Sequence, residues 1–73
     1  MEYKRGDLVR FPKGRIVWFC KNFSEYMPPG SVAVVLETSG DHMKLVFFSN
    51  GEQANGFYKG ASDIELVTEH VDG

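Results

Sequence analysis

The sequence predicts an all-β fold, a small five-stranded barrel with a long loop after the first strand, on three observations. Turn pairs recur along the chain: Gly6-Asp7 precedes Leu8 to Phe11, Pro29-Gly30 precedes Val32 to Leu36, and Asn50-Gly51 follows Met43 to Phe48. The runs between them are short and rich in Val, Leu and Phe, residues that suit a pleated, half-buried surface. With 73 residues, 42% hydrophobic and 25% charged, the chain has room for one core, so residues 1–73 form a single domain of ordinary globular composition.

The first strand is Leu8 to Phe11, with Val9 and Phe11 on one face, and Pro12 with Lys13-Gly14 ends it. Arg15 to Cys20 holds strand formers without clean polar alternation, which suits either a short two-sided strand or an ordered arm of a long excursion. Lys21 to Gly30, with Asn22, Ser24, Pro28, Pro29 and Gly30, has the composition of a loop, and the two prolines hold its return arm extended. Val32 to Leu36 is the second strand, closed by Ser39-Gly40-Asp41. Met43 to Phe48 is the third, with Met43, Leu45 and Phe47 directed to the core and Lys44, Val46 and Phe48 outward. Asn50-Gly51 predicts a tight hairpin in a type I′ turn, since both residues tolerate a positive φ. Gly56 to Lys59 is the fourth strand, Gly60 to Asp63 a turn, and Ile64 to Val67 the fifth strand, leaving 68–73 as a frayed tail. The expected core is Val9, Phe11, Val32, Val34, Leu36, Leu45, Phe47 and Leu66.

Charge is divided along the chain. Residues 1–21 carry Lys4, Arg5, Arg10, Lys13, Arg15 and Lys21 against Glu2 and Asp7, a net +4, whereas residues 22–73 carry a net −6. The basic segment is a candidate polyanion surface, yet the acidic remainder opposes long-range attraction to a phosphate backbone. The single cysteine, Cys20, cannot close an intramolecular disulfide, and a small chain without a disulfide framework belongs to a reducing compartment, so the cytoplasm is expected. The charged N-terminus lacks an apolar export segment, and no apolar run approaches the roughly 18 residues of a membrane span.

Catalytic and metal signatures are weak. His42 sits beside Asp41 at an expected hairpin tip and His70 lies in the tail, surroundings that do not orient an acid or a base. Cys20 follows three bulky apolar residues and reads as a buried small hydrophobe rather than a nucleophile. Two histidines and one cysteine at wide spacing form no zinc set, and the acids spell no calcium loop. Neither a cofactor nor an enzymatic activity is expected.

The five short strands with a long excursion resemble an SH3-like barrel. The resemblance rests on Gly6-Asp7-Leu8-Val9-Arg10-Phe11, Pro29-Gly30-Ser31-Val32-Ala33-Val34-Val35-Leu36, Leu45-Val46-Phe47-Phe48-Ser49-Asn50-Gly51-Glu52 and Ser62-Asp63-Ile64-Glu65-Leu66-Val67, nearly the whole chain. The same cadence is shared by KOW and Tudor modules and the small photosystem I stromal subunit. In size and wording it is similar to tiny bacteriophage-encoded SH3-like proteins, whose known work is binding. That likeness implies a phage-encoded module in the host cytoplasm. The density of basic residues typical of KOW modules is absent beyond the opening segment, as is the Ala-Leu-Tyr-Asp-Tyr-like segment of signalling SH3 domains.

After the core is filled, an aromatic excursion remains. Residues 12–31 hold Trp18, Phe19, Phe23 and Tyr26, and aromatic side chains dominate interface energetics because they cover much area with few rotatable bonds. Trp18 and Phe19 either fold back as barrel caps or lie exposed; Phe23 and Tyr26, flanked by polar residues, are candidates for exposure, and Phe48 extends the patch with Val46 and Val35. The first expectation is a non-catalytic protein-binding module that docks on a larger partner, a host protein or complex, through Trp18, Phe19, Phe23, Tyr26 and Phe48. The alternative is a nucleic-acid-binding barrel in which Lys4, Arg5, Arg10, Lys13, Arg15 and Lys21 hold phosphates while aromatics stack on bases. A monomer, or a weak homodimer through the Val35, Val46 and Phe48 face, completes the expectation.

Overall fold

The computed structural model describes residues 3–67, so the tail expected to fray and its His70 lie outside the described residues. Seven strands form two antiparallel sheets, with no helix among the described residues: β1 (Leu8–Phe11), β2 (Arg15–Phe19), β3 (Phe23–Met27), β4 (Ser31–Ser39), β5 (His42–Phe47), β6 (Gln53–Tyr58) and β7 (Glu65–Leu66). Five of them make one sheet in the order β6-β5-β4-β1-β7, while β2 and β3, among the described residues, pair only with each other as a two-stranded ribbon.

This corrects the expected architecture of five strands in a closed barrel with a long loop. The excursion is itself a hairpin. Cys20, Lys21 and Asn22 turn the chain, Asn22 adopts a φ of 68°, and its N–H donates to the Phe19 carbonyl at 3.0 Å. Asn is among the few side chains that enter this left-handed region at little cost. β3 escapes a composition-based reading because only Met27 of its five residues is buried.

One core joins the two sheets. Phe11, Phe19, Phe47 and Phe57 form its centre: the Phe11 and Phe47 rings lie 5.3 Å apart, Phe19 meets Phe47 edge-on at 5.7 Å, and Phe57 meets Phe11 edge-on at 5.7 Å. Such tilted and edge-on packing places the positive rim of one ring against the negative face of the next. Val9, Val17, Met27, Val35, Met43 and Leu45 fill the space around them.

The two faces of β4 are the reverse of the expectation. Ala33 and Val35 are buried, whereas Val32, Val34 and Leu36 are half-buried, as is Leu66. Ala33 pairs with both Val9 and Phe47, so the smallest side chain in the run stands where the Phe cluster needs space. Val35, expected on the outer face, is therefore a core residue.

The β5–β6 connection also departs from the expected two-residue turn. Phe47 and Glu52 close a wider loop, the N–H of Gly51 donates to the Phe47 carbonyl at 2.8 Å, and of Asn50 and Gly51 only Gly51 has a positive φ. β6 begins earlier than expected, at Gln53, and carries a bulge: Met43 pairs with Phe57 and Leu45 with Ala54, so an extra residue lies between two inward-facing positions. Gly56, at a φ of 84°, supplies the backbone that the bulge requires.

Candidate functional site

Strand alternation divides the ribbon into two chemically different faces. Ile16 pairs with Tyr26, Trp18 with Ser24, and Phe19 with Phe23. Since successive side chains point to opposite sides, Val17, Phe19 and Met27 enter the core while Ile16, Trp18, Ser24 and Tyr26 share the outer face. The outer face is uncharged and, apart from Ser24, built of large apolar and aromatic side chains, with Ile16, Trp18 and Tyr26 exposed by 61%, 70% and 57%. Tyr26 lies directly opposite Ile16 and diagonal to Trp18, within reach of both.

Phe19 does not belong to this surface. Its ring is 4% exposed, held between Phe47 and Phe23, so of the two alternatives for this residue the structure has it folded back into the core. Phe23 stacks on Phe19 with centroids 4.9 Å apart and remains partly open to solvent, which makes it a lid on the core rather than part of the outer face. Ile16, not singled out by the aromatic reading, completes the patch. The signal for it is the alternation Ile16-Val17-Trp18-Phe19, which assigns Ile16 to the same side as Trp18.

The ribbon is fixed to the five-stranded sheet at several points. The Arg15 guanidinium lies 5.2 Å from the Phe57 ring centre and 6.0 Å from that of Phe11, and its Nη1 donates to the Asp63 carboxylate at 3.0 Å. The Cys20 N–H donates to the Gln53 carbonyl at 2.8 Å, tying the end of β2 to the start of β6. Asn50 Nδ2 donates to Glu25 Oε1 at 3.1 Å, tying β3 to the β5–β6 loop. At the root, a Cβ on Gly14 would lie 2.7 Å from the Met27 carbonyl oxygen, so only glycine admits this close passage of the two ribbon arms.

A second apolar patch lies on the outer side of the large sheet, between the ion-paired Arg10 and Lys44. Leu8 pairs with Val34 and Val34 with Val46, while Phe48 follows β5 and donates its N–H to the Val32 carbonyl at 3.1 Å. Phe48 is 60% exposed. The loop that it opens is the one held to β3 through Asn50 and Glu25.

The six basic residues of the opening segment do not converge on the aromatic face as free charges. Arg10 pairs with Glu65 at 2.7 Å, Arg15 with Asp63 at 3.0 Å and Lys21 with Glu52 at 3.5 Å. Lys4, Arg5 and Lys13 are exposed. Cys20 is exposed as well, which corrects its expected burial: it stands at the turn, beyond the last inward-facing residue of β2. Among the described residues no three His, Cys, Asp or Glu side chains gather as a metal-ligand set, and no helix is long and apolar enough to cross a membrane.

Comparison of the chain with protein-family models, with curated proteins and with solved structures gives no match. The functional reading therefore rests on the geometry of the two apolar surfaces and on the charges around them.

Proposed function

We propose that this chain is a non-catalytic protein-binding module, SH3-like in kind, that docks on a larger partner through Ile16, Trp18 and Tyr26 on the ribbon and Phe48 on the neighbouring sheet. The observation that carries the reading is the outward placement of Trp18 and Tyr26, with Ile16 of β2 opposite Tyr26, on a face bearing no charge. Aromatic anchors surrounded by residues that exclude water contribute most of the energy of a typical interface. Folding gains nothing from leaving these three side chains in solvent, since the core is already closed by Phe19, Phe23 and Met27. A stable interface covers roughly 800 Å² per partner, more than three side chains supply, so exposed Phe48, just past the end of β5, is added to the contact. On the likeness to small phage-encoded modules, the partner is a host protein or complex.

Affinity capture from the native host with quantitative mass spectrometry, comparing the natural chain with a Trp18→Ser, Tyr26→Ser double variant, tests this reading. The expected result is a partner enriched by the natural chain and lost from the variant, with the far-UV spectrum and melting temperature unchanged. Retention of the partner, or loss of folding in the variant, overturns it.

A further inference from the structure

The ribbon has one edge in use and one edge open. β2 is tied to β6 through the Cys20-to-Gln53 bond, whereas β3 pairs with β2 alone among the described residues. In an antiparallel pair every second residue turns its N–H and C=O away from the partner strand, so Phe23–Met27 presents unpaired donors and acceptors along a free edge. Proteins usually guard such an edge with lysine, proline, a bulge or an inward-pointing charge. Within β3 the one such residue is Glu25, on the side of core Val17, and Pro28 begins only beyond the strand's end.

The charge on this edge is specific. Glu25 is the one ionisable carboxylate of β3; it accepts a hydrogen bond from the neutral Asn50 and has no cation within 4.0 Å among the described residues. Glu37, Glu52, Asp63 and Glu65 each do have one, whereas Asp7 and Asp41, which have none among the described residues, lie outside the strands, so Glu25 is the unpaired carboxylate of a strand edge.

We infer that β3 is a docking edge for an extended peptide segment of the partner, which adds as a third strand of the ribbon and alternates apolar side chains with a lysine or arginine that meets Glu25. The inference rests on the protein-binding reading and specifies the partner's conformation and charge. Alternation follows from the pleat: one set of the added side chains continues the Ile16, Trp18 and Tyr26 face, and the other set lies beside Phe23, Glu25 and Met27. Main-chain bonds supply affinity and the cation supplies selectivity. A second copy of this chain is a poorer occupant, because antiparallel pairing of β3 with itself about its centre sets two Glu25 carboxylates opposite each other.

Selection of random linear peptides displayed against the immobilised protein tests the inference. The expected winners alternate apolar residues with Lys or Arg, and a synthetic winner slows hydrogen exchange at alternate amides of β3. Glu25→Gln keeps an acceptor for Asn50 and should weaken that peptide on the order of tenfold, the loss of one charge-assisted contact. Glu25→Lys should turn the selection toward Asp and Glu, with the amide spectrum confirming that the variant is folded. No enrichment, winners without a cation, an unchanged preference in Glu25→Gln, or slowed exchange confined to other strands each overturns the inference. Winners that bind without slowing β3 amides, yet are lost in the Trp18→Ser, Tyr26→Ser variant, would refute the edge and leave the aromatic face standing. Winners that protect β3 and survive that variant would do the reverse.

Discussion

Trp18 and Phe19 are consecutive in the chain, yet Trp18 is 70% exposed and Phe19 is 4% exposed. The difference arises from strand geometry, which sends neighbours to opposite faces once β2 is held against the core by Arg15, Val17 and Phe19. One aromatic therefore closes the core while the next remains available for a partner.

This division predicts opposite responses to truncation. Phe19→Ala should cost about 3–5 kcal/mol, the range for a buried phenylalanine, whereas Trp18→Ser should change stability by no more than about 0.5 kcal/mol. Chemical denaturation followed by far-UV circular dichroism measures both, because the method does not depend on the tryptophan being removed.

Gly14→Ala should destabilise the ribbon root. The position has a φ of 71°, and the added Cβ would press on the Met27 carbonyl oxygen and the Pro28 to Pro29 backbone. A left-handed backbone alone costs on the order of 1–3 kcal/mol at a residue with a side chain. Thermal melting should show the loss, and amide exchange should rise first in β2 and β3.

Tyr3 contributes to the pH dependence of stability on the alkaline side. Its burial, and then the nearby Glu65 carboxylate, raise the hydroxyl above the ordinary tyrosine value of 10.0. The unfolded chain ionises first, so stability is fully present below that value and falls as the pH rises toward the higher native one. Tyr3→Phe should remove this part of the alkaline loss in melting curves recorded across that range.

The parts of this architecture differ in how plainly they are written. β1 and β5 are legible because a single cation in each, Arg10 between Val9 and Phe11 and Lys44 between Met43 and Leu45, marks the outward face and so assigns the alternate residues to the core. In β4 the run Val32-Ala33-Val34-Val35-Leu36 is apolar on both faces, so periodicity cannot choose between them; the choice comes from Ala33 fitting opposite Phe47. β6 is obscured by the Gly56 bulge, which breaks the two-residue period between Ala54 and Phe57. The aromatic patch is visible as composition, but its membership is not. Only the pairing of β2 with β3 separates Ile16, Trp18 and Tyr26 from Phe19 and Phe23.

The charge arrangement predicts weak binding to generic DNA or RNA. With Arg10, Arg15, Lys21 and Lys44 already paired to acids, Lys4, Arg5, Lys13 and Lys59 remain among the described cations, so only about four counterions would be released on binding. Fluorescence anisotropy with labelled oligonucleotides at physiological salt should give no sub-micromolar dissociation constant. A tight, steeply salt-dependent complex would favour the nucleic-acid reading instead.

Trp18 is the only tryptophan, so its emission reports directly on the proposed surface. Titration of the protein with its captured partner, itself made free of tryptophan, should shift the emission to the blue and shield Trp18 from acrylamide quenching. Formation of the complex with emission and quenching unchanged would place the partner elsewhere and contradict a binding role for the outer face of the ribbon.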